Sequence, residues 1–466
     1  MAEPSADPGD LRLDHPQAIH IVYVGGKAMS ALAEILVHMG HQVSGSDPND
    51  VPILAHLREL GVEVHVGADA AHLGEVDLVA CSTAVPVDHP ERLAAEARGI
   101  AVVGRPRLQG AIARTRPTIA VSGTHGKSST TAMLVHVLEA TGHDPSYIVG
   151  GDMVGGRGGA RWVAGGWFVV EADESDGTFL QLGAARAVVT NIEADHLDRY
   201  GSLEAIEAAF HRYLDLADEA RVVCADDSIA ARVGAAHGAL TYGTGADADL
   251  RVVDVVVEKT STRFSLQVAG EQVATVTLPE PGLHNALNAT AAIAAAHGVG
   301  VPYADAAAAL SSYRGLGRRF QLRGEVGGVT VVDDFAHNPG KVRAMVSTAA
   351  AGGWGRVVVA FQPHRVSRTA AQWHEFVDSF DGADVLVVTQ LDPAGEPPQP
   401  GVDGRLISDA VAAAHPDLDV AWVPERHQLV AHLASILRPG DLCLTLGAGD
   451  ITTLADALLP ALEARR

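Results

Sequence analysis

The sequence predicts an α/β protein of three domains, and three observations carry that reading. The chain has 466 residues, too many for one ordinary core when a domain runs to roughly 150 residues. Strand, tight turn and helix alternate from Ala18 and again from Val329, the pattern of units built on parallel sheets. Between them, residues 119–142 read IAVSGTHGKSSTTAMLVHVLEATG. That is an apolar run, a glycine-rich turn and a segment whose Met133, Leu134, Val137 and Leu138 recur at helical spacing before Gly142 stops it.

Taken in order, residues 18–47 (AIHIVYVGGKAMSALAEILVHMGHQVSGSD) are a strand, a Gly-Gly turn, a helix ended by Gly40 and a strand ending at Ser46-Asp47. This is a βαβ unit of Rossmann type. Apolar runs at 62–66, 78–82 and 100–103 extend it, and the domain closes near Ile112, giving a first domain of 1–111.

The second domain, 112–317, opens on the phosphate loop. In a strand–loop–helix of this kind, backbone N–H groups from Gly123, Thr124, His125, Gly126, Ser128 and Ser129 curl around phosphate oxygens. Lys127 reaches the terminal phosphates and the Ser128 hydroxyl ligates Mg²⁺. The strict Walker spacing is not met, because Val121 stands five before Gly126 and Gly123 takes the shifted position. Two more apolar strands deliver polar residues at their C-terminal ends, where ligands of open parallel sheets sit. WFVVEADESD offers Glu171 as a metal carboxylate, with Asp173, Glu174 and Asp176 as surface or supporting groups. NIEADHLD offers Asn191, Glu193, Asp195, His196 and Asp198, and His196 is the candidate for a second divalent ion. Residues 250–278 alternate as antiparallel strands, PGLHNALNA returns as a helix, and SSYRGLGRRFQLRG reads as a linker.

The third domain, 318–466, begins its α/β alternation at Val329 and runs through RVVVAFQPHR, ADVLVVTQ and DLCLTLGAGD to an Ala/Leu-rich helix. Arg318, Arg319, Asp333, Asp334, His337, His364, Arg365 and Arg368 follow or flank its strands, where arginines can hold phosphoryl or carboxylate charge bidentately. DPAGEPPQPG is the one low-complexity piece and reads as a surface excursion.

Composition narrows the class. A hydrophobic share of 47 % with 20 % charged residues belongs to a globular protein, and a net charge of −23 argues against a general binder of nucleic acid or anionic membrane. Anionic substrates therefore need local Lys, Arg or metal. Cys81, Cys224 and Cys443 form no CxxC pair and read as buried reduced thiols. The opening MAEPSADPGD has no apolar core of a leader peptide, so the expected location is cytoplasmic.

The motifs SGTHGKS, EADESDGTF, VVTNIEADHLDRYG, PGLHNALNA, GRRFQLRG, DDFAHNP, FQPHRVSRT and GAGD stand in one order along nearly the whole chain. In this the sequence resembles the Mur ligases. The resemblance implies a Rossmann-like N-terminal domain for a UDP-sugar, a central P-loop ATPase domain and a Rossmann-like C-terminal domain that closes over an amino acid. It implies ATP-dependent amide formation through an acylphosphate, with ATP and Mg²⁺ as cofactors. UDP-N-acetylmuramate and L-alanine are the implied small-molecule substrates, with no nucleic-acid or membrane partner and a monomer or weak homodimer.

By matching motif, Lys127 holds phosphates, Ser128 and Glu171 one Mg²⁺, and Glu171 with His196 a second. His284, Asn285 and Asn288 lie on the adenine side. Arg319 and Asp334 complete the ATP site, while His337, Arg365 and Arg368 face the carboxylate and amino acid. Gly25, Gly26, Lys27, Ser30, Ser46, Asp47 and Ser82 are the UDP-sugar candidates. The chain departs from the family pattern at Tyr23 and Ala28, which occupy glycine positions of the first loop, at Leu283 and at Asn338. A paralogue using another acid and a nucleotide-binding regulator without catalysis remain alternatives. So does a dinucleotide oxidoreductase using Asp47, although the chain lacks GxGxxG.

Overall fold

A computed structural model describes residues 11–154 and 158–465. The acidic opening stretch read above lies outside them. The chain forms two compact units, one of residues through Val255 with Arg263–Leu278 and His284–Arg314, the other from Gly315 onward with Val256–Thr262 and Pro279–Leu283.

The first unit carries two sheets. The first sheet has five parallel strands in sequence order 3-2-1-4-5, with Ala18–Val22 at its centre between Gln42–Asp47 and Leu78–Cys81. Strand order reverses beside Ala18–Val22, so the loop after Val22 opens at the switch point where such sheets bind ligands. The helix Lys27–His38 follows at once and buries Met29, Leu32, Ala33, Ile35 and Leu36 against the sheet.

The second sheet has ten strands. Its phosphate-loop strand Thr118–Ser122 is fully buried and lies between Phe168–Glu171 and Arg186–Val189, both parallel to it. All three strands thus end at the same edge, as the sequence predicts. The runs within 250–278 form three strands, Leu250–Val257, Thr262–Val268 and Glu271–Leu278, side by side at one end of this sheet.

The second unit is a six-stranded sheet with apolar clusters on both faces. Val332, Val359 and Leu444 pack one side, and Val331, Val358 and Cys443 the other. Strands covered on both sides read as unbroken apolar runs, which is why VTVVDD, RVVVAF and DLCLTL show no alternation.

The structure corrects the linker reading in part. Gln321–Val326, four of its six residues inside SSYRGLGRRFQLRG, is a strand antiparallel to Val329–Asp334. Gly327 (φ 64°) and Gly328 (φ 76°) form the turn between them, and two residues at positive φ are what a tight two-residue hairpin demands. The three cysteines are buried free thiols. Among the described residues no helix is long and apolar enough to cross a membrane.

Candidate active site

The phosphate loop is shaped by glycines that nothing else can replace. Gly123 (φ 133°) and Gly126 (φ 81°) occupy backbone regions that favour glycine, and a Cβ would strike Thr190 and Asn191 at the first and Asn288 at the second. The loop is braced by the turn after strand Arg186–Val189. Thr124 N donates to Asn191 O (3.0 Å), His125 N to Asn191 Oδ1 (2.8 Å) and Glu193 N to Thr124 Oγ1 (2.9 Å). Asn191 and Glu193, read from sequence as polar residues at the strand end, thus engage the loop itself. Asn288 lies under it, with Thr130 Oγ1 at 3.3 Å and Asn285 Oδ1 at 3.4 Å. His284 is exposed at the start of the same helix, Leu283–His297.

Lys127 is the first residue of the helix Lys127–Ala140. Its Nζ donates to Gly123 O (2.6 Å), Thr124 O (3.3 Å) and Glu174 Oε1 (2.9 Å). Glu174 is only 4 % exposed, and its Oε2 is buried with no hydrogen-bond partner among the described residues. Burial raises its pKa, against the pull of the Lys127 ammonium. The sequence reading treated Glu174 as peripheral, whereas it is the carboxylate nearest Lys127. Asp173 and Asp176 take Arg105 as their counter-ion, from the helix that ends the first sheet's domain.

Ser128 Oγ donates to Glu171 Oε2 at 2.8 Å, and Gly150 N reaches the same oxygen at 2.9 Å. A hydroxyl and a carboxylate converging beside a phosphate loop are hard oxygen donors of the kind Mg²⁺ takes. Among the described residues no three His, Cys, Asp or Glu side chains form a metal cage. The remaining positions on such an ion would fall to phosphate oxygens and water, as is usual for Mg²⁺. His196, at φ 55°, sits 3.7 Å from Asp195 Oδ2 and 4.0 Å from Glu174 Oε1.

In the first sheet, the Gly25–Lys27 turn is exposed at its tip, and Lys27 Nζ lies 3.6 Å from Asp152. Gly25 N donates to Asp47 Oδ2 (3.0 Å), and a Cβ at Gly25 would meet Asp47 and Val51, so Asp47 fits closely under the turn. Tyr23 takes the left-handed backbone (φ 63°) that a glycine there would adopt freely, and its ring packs edge-on against His89. Ala28 is exposed. Ser30 is buried with Oγ on Lys27 O (3.1 Å), and Ser82 is half-buried.

Ser46 departs from the expectation of a ligand-facing hydroxyl. It is 1 % exposed and donates to Glu91 Oε2 at 2.5 Å. Glu91 also meets His20 Nε2 (3.2 Å) and His72 Nδ1 (3.0 Å). Burial alone pushes Glu91 up, but the hydrogen bonds from His20, Ser46 and His72 outweigh it and hold the carboxyl down at about 2. Nothing in the local sequence marks this network, because its members come from four separate elements.

In the second unit, Arg318 (φ 61°) donates to Gly447 O (2.5 Å) and Ala448 O (3.2 Å), tying the entry segment to the GAGD turn. Asp334 is buried and accepts from Phe320 N and Ala336 N, each at 2.8 Å. Burial raises its pKa, and Arg319 opposes that shift. Glu280 joins this group. It is buried, and its carboxyl is pushed up to about 8, first by burial and then by Asp334, with Arg319 opposing.

His337 is pushed down to about 4, chiefly by burial, with the Phe335 carbonyl opposing and Arg368, Lys341 and His364 adding positive charge nearby. Its Nδ1 lies 2.7 Å from Phe335 O, so that nitrogen carries the proton and Nε2 remains an acceptor. The His364 ring stands edge-on to it at 5.9 Å. Arg368 Nη1 donates to His364 O (3.2 Å), and Arg365 (φ 72°) is exposed at the start of the helix Val366–Gln372. The second unit thus gathers Arg319 with Asp334, and His337 with His364 and Arg368.

Three sequence-family models match: the Mur ligase family catalytic domain over residues 18–117, the Mur ligase middle domain over 166–296, and the Mur ligase glutamate ligase domain over 318–449. The chain is 41 % identical to the UDP-N-acetylmuramate--L-alanine ligase of Geobacter sulfurreducens, across 97 % of this chain and 98 % of the relative. It is 42 % identical to the enzyme of that name from Acidothermus cellulolyticus, across 98 % and 97 %. Among solved structures, it is similar to the UDP-N-acetylmuramate-alanine ligase MurC of Thermotoga maritima, with a TM-score of 0.80 and 28 % identity over 97 % of this chain and 100 % of that one. A murein peptide ligase from Psychrobacter arcticus matches at a TM-score of 0.65 and 26 % identity, over 96 % and 99 %.

Proposed function

The chain belongs to the Mur ligase family, and from that premise we propose that it joins L-alanine to the carboxylate of UDP-N-acetylmuramate at the expense of ATP. The observation that carries the reading is the convergence of Lys127, Ser128 and Glu171 on one phosphate loop, in a chain about two-fifths identical over nearly its full length to ligases of that name.

A carboxylate is a poor electrophile, so it is activated first. Its oxygen attacks the γ-phosphorus of ATP, ADP leaves, and an acylphosphate results. The L-alanine nitrogen then attacks the carbonyl carbon, phosphate departs with the carboxylate's former oxygen, and the nitrogen gives up a proton to form the amide. Lys127 stabilises charge on the transferring phosphoryl group. Ser128 and Glu171 would hold Mg²⁺, with His196 on a second ion. When bound, the metal offsets phosphate charge.

Asn285 and Asn288, with His284, sit on the adenine side, and Arg319 with Asp334 serves the ATP from the C-terminal domain. His337, being neutral with Nε2 free to accept, orients an N–H of the amine, and Arg365 and Arg368 hold carboxylate charge. The exposed Gly25–Lys27 turn and its helix N-terminus take the UDP diphosphate, with Lys27 adding charge and Asp47, Ser46, Ser30 and Ser82 shaping the loop. Domains of 1–111, 112–317 and 318–466, a cytoplasmic location and a monomer or weak homodimer complete the proposal.

Phosphate release tests it. The expected result is stoichiometric ADP and phosphate only when ATP, Mg²⁺, UDP-N-acetylmuramate and L-alanine are all present. Nucleotide-independent behaviour, or turnover with another acid and none with this one, would contradict it.

A further inference from the structure

The proline-rich segment DPAGEPPQPG, dismissed by sequence as a surface excursion, is stitched to the turn that carries the arginine pair. Arg365 holds a left-handed backbone (φ 72°, ψ 130°), which a non-glycine residue keeps only when its surroundings impose it. Asp392 imposes it with both backbone groups. Arg365 N donates to Asp392 O (2.8 Å), and Asp392 N donates to Pro363 O (2.9 Å).

Four residues after Asp392, Glu396 closes over the start of the helix at Ser367. Ser367 N donates to Glu396 Oε2 and Ser367 Oγ to Oε1, both at 2.8 Å. The segment is itself built to hold that carboxylate in place. Ala394 (φ 50°) and Gly395 (φ 83°) make a tight turn, Ala394 N donates to Asp392 Oδ1 (2.8 Å), and Glu396 N to Pro393 O (2.9 Å). The Asp392 side chain in turn rests on Gly449 of the GAGD motif, where any Cβ would overlap its carboxylate. Two motifs that neither the phosphate loop nor the metal ligands absorb thus meet behind one arginine turn.

We propose that the loop from Asp392 to Glu396 is a positioning device that fixes Arg365 and Arg368 for the carboxylate of the amino-acid substrate, with Glu396 as its positioning residue. This rests on the reading of those arginines as amino-acid-side groups. Glu396 touches no reacting atom. It acts through Ser367 and the first turn of Val366–Gln372, and its charge faces Arg365 and Arg368 from outside the helix. A mere surface cap would leave substrate selectivity untouched, whereas a positioning role concentrates its effect on one substrate.

The test is steady-state kinetics on full-length Glu396→Ala and Glu396→Gln, with amide hydrogen exchange on the same proteins. The expected result is a rise of about tenfold in KM for L-alanine in Glu396→Ala, the scale of one charge-assisted hydrogen bond, and a smaller rise in Glu396→Gln. KM for ATP and the thermal midpoint stay at wild-type values, and exchange quickens at the Arg365 and Ser367 amides. Unchanged exchange at those amides overturns the clamp itself, with or without substrate turnover. Quickened exchange with an unchanged KM for L-alanine, or with all kinetic constants and the midpoint falling together, overturns the positioning role. Wild-type phosphate release with L-alanine is a separate control, and its failure would count against the functional reading while exchange still judges the loop.

Discussion

Lys127 makes three contacts, two to loop carbonyls and one to Glu174. All are polar, so removing the side chain opens no apolar cavity. Lys127→Ala is therefore expected to fold with a lowered melting midpoint, because buried Glu174 loses its ammonium partner, while turnover falls by a factor on the order of 10²–10³, the usual loss for one transition-state charge partner. ADP production near the wild-type rate would remove this loop from catalysis. On the proposed metal role, Glu171→Gln would weaken a ligand while keeping the Ser128 contact within reach, so the Mg²⁺ concentration for half-maximal rate is expected to rise. A Mg²⁺ titration that overlays wild type would detach Glu171 from the metal. Sequence made these two residues legible because each is fixed by its own strand and its own loop. Glu174 was not legible, since an acidic turn looks alike whether it is solvated or buried, and only the tertiary packing of Tyr200 and Lys127 around it decides. Its backbone carbonyl accepts the Tyr200 hydroxyl at 2.6 Å.

At the scale of elements, the segment joining Glu271–Leu278 to Leu283–His297 carries a buried acid, Glu280, whose pKa of about 8 exceeds its ordinary 4.5. Between those two pH values the folded protein binds a proton that the unfolded chain releases, so stability falls as pH rises through that window. Urea midpoints at pH 5 and pH 8 are expected to show that fall in wild type and a smaller one in Glu280→Gln, which carries no titrating group. An equal fall in both proteins would assign it elsewhere. Glu91 has the opposite character, a deeply buried carboxylate kept charged by its donors. Glu91→Gln leaves at least one donor among His20, Ser46 and His72 without its partner and is expected to cost about 1–3 kcal/mol in denaturant unfolding. Strand-to-loop order was readable here from apolar runs and glycine turns. The Gln321–Val326 strand escaped because Arg323 and Gly324 dilute its apolar pattern, although Gly327-Gly328 was the signal that should have found it. The Glu91 network and the Asp392 clamp were closed to sequence reading for one reason: their partners lie 19 to 71 positions away, and no local pattern encodes such pairings.

For the whole molecule, three sheets each end in a distinct polar group: the glycine turn after Val22 in the first, the phosphate loop with the Ser128–Glu171 pair in the second, and an arginine turn beside a neutral histidine in the third. At the departures from the family's glycine pattern, Ala28 is exposed and Tyr23 turns its ring onto His89. The central claim is that this scaffold activates a carboxylate by phosphorylating it before the amine attacks. UDP-N-acetylmuramate labelled with ¹⁸O in its carboxylate tests this directly. After turnover with ATP and L-alanine, the released inorganic phosphate is read by mass spectrometry. The account predicts one labelled oxygen transferred to each phosphate formed from doubly labelled acid. Phosphate free of label, with amide product formed, would contradict it.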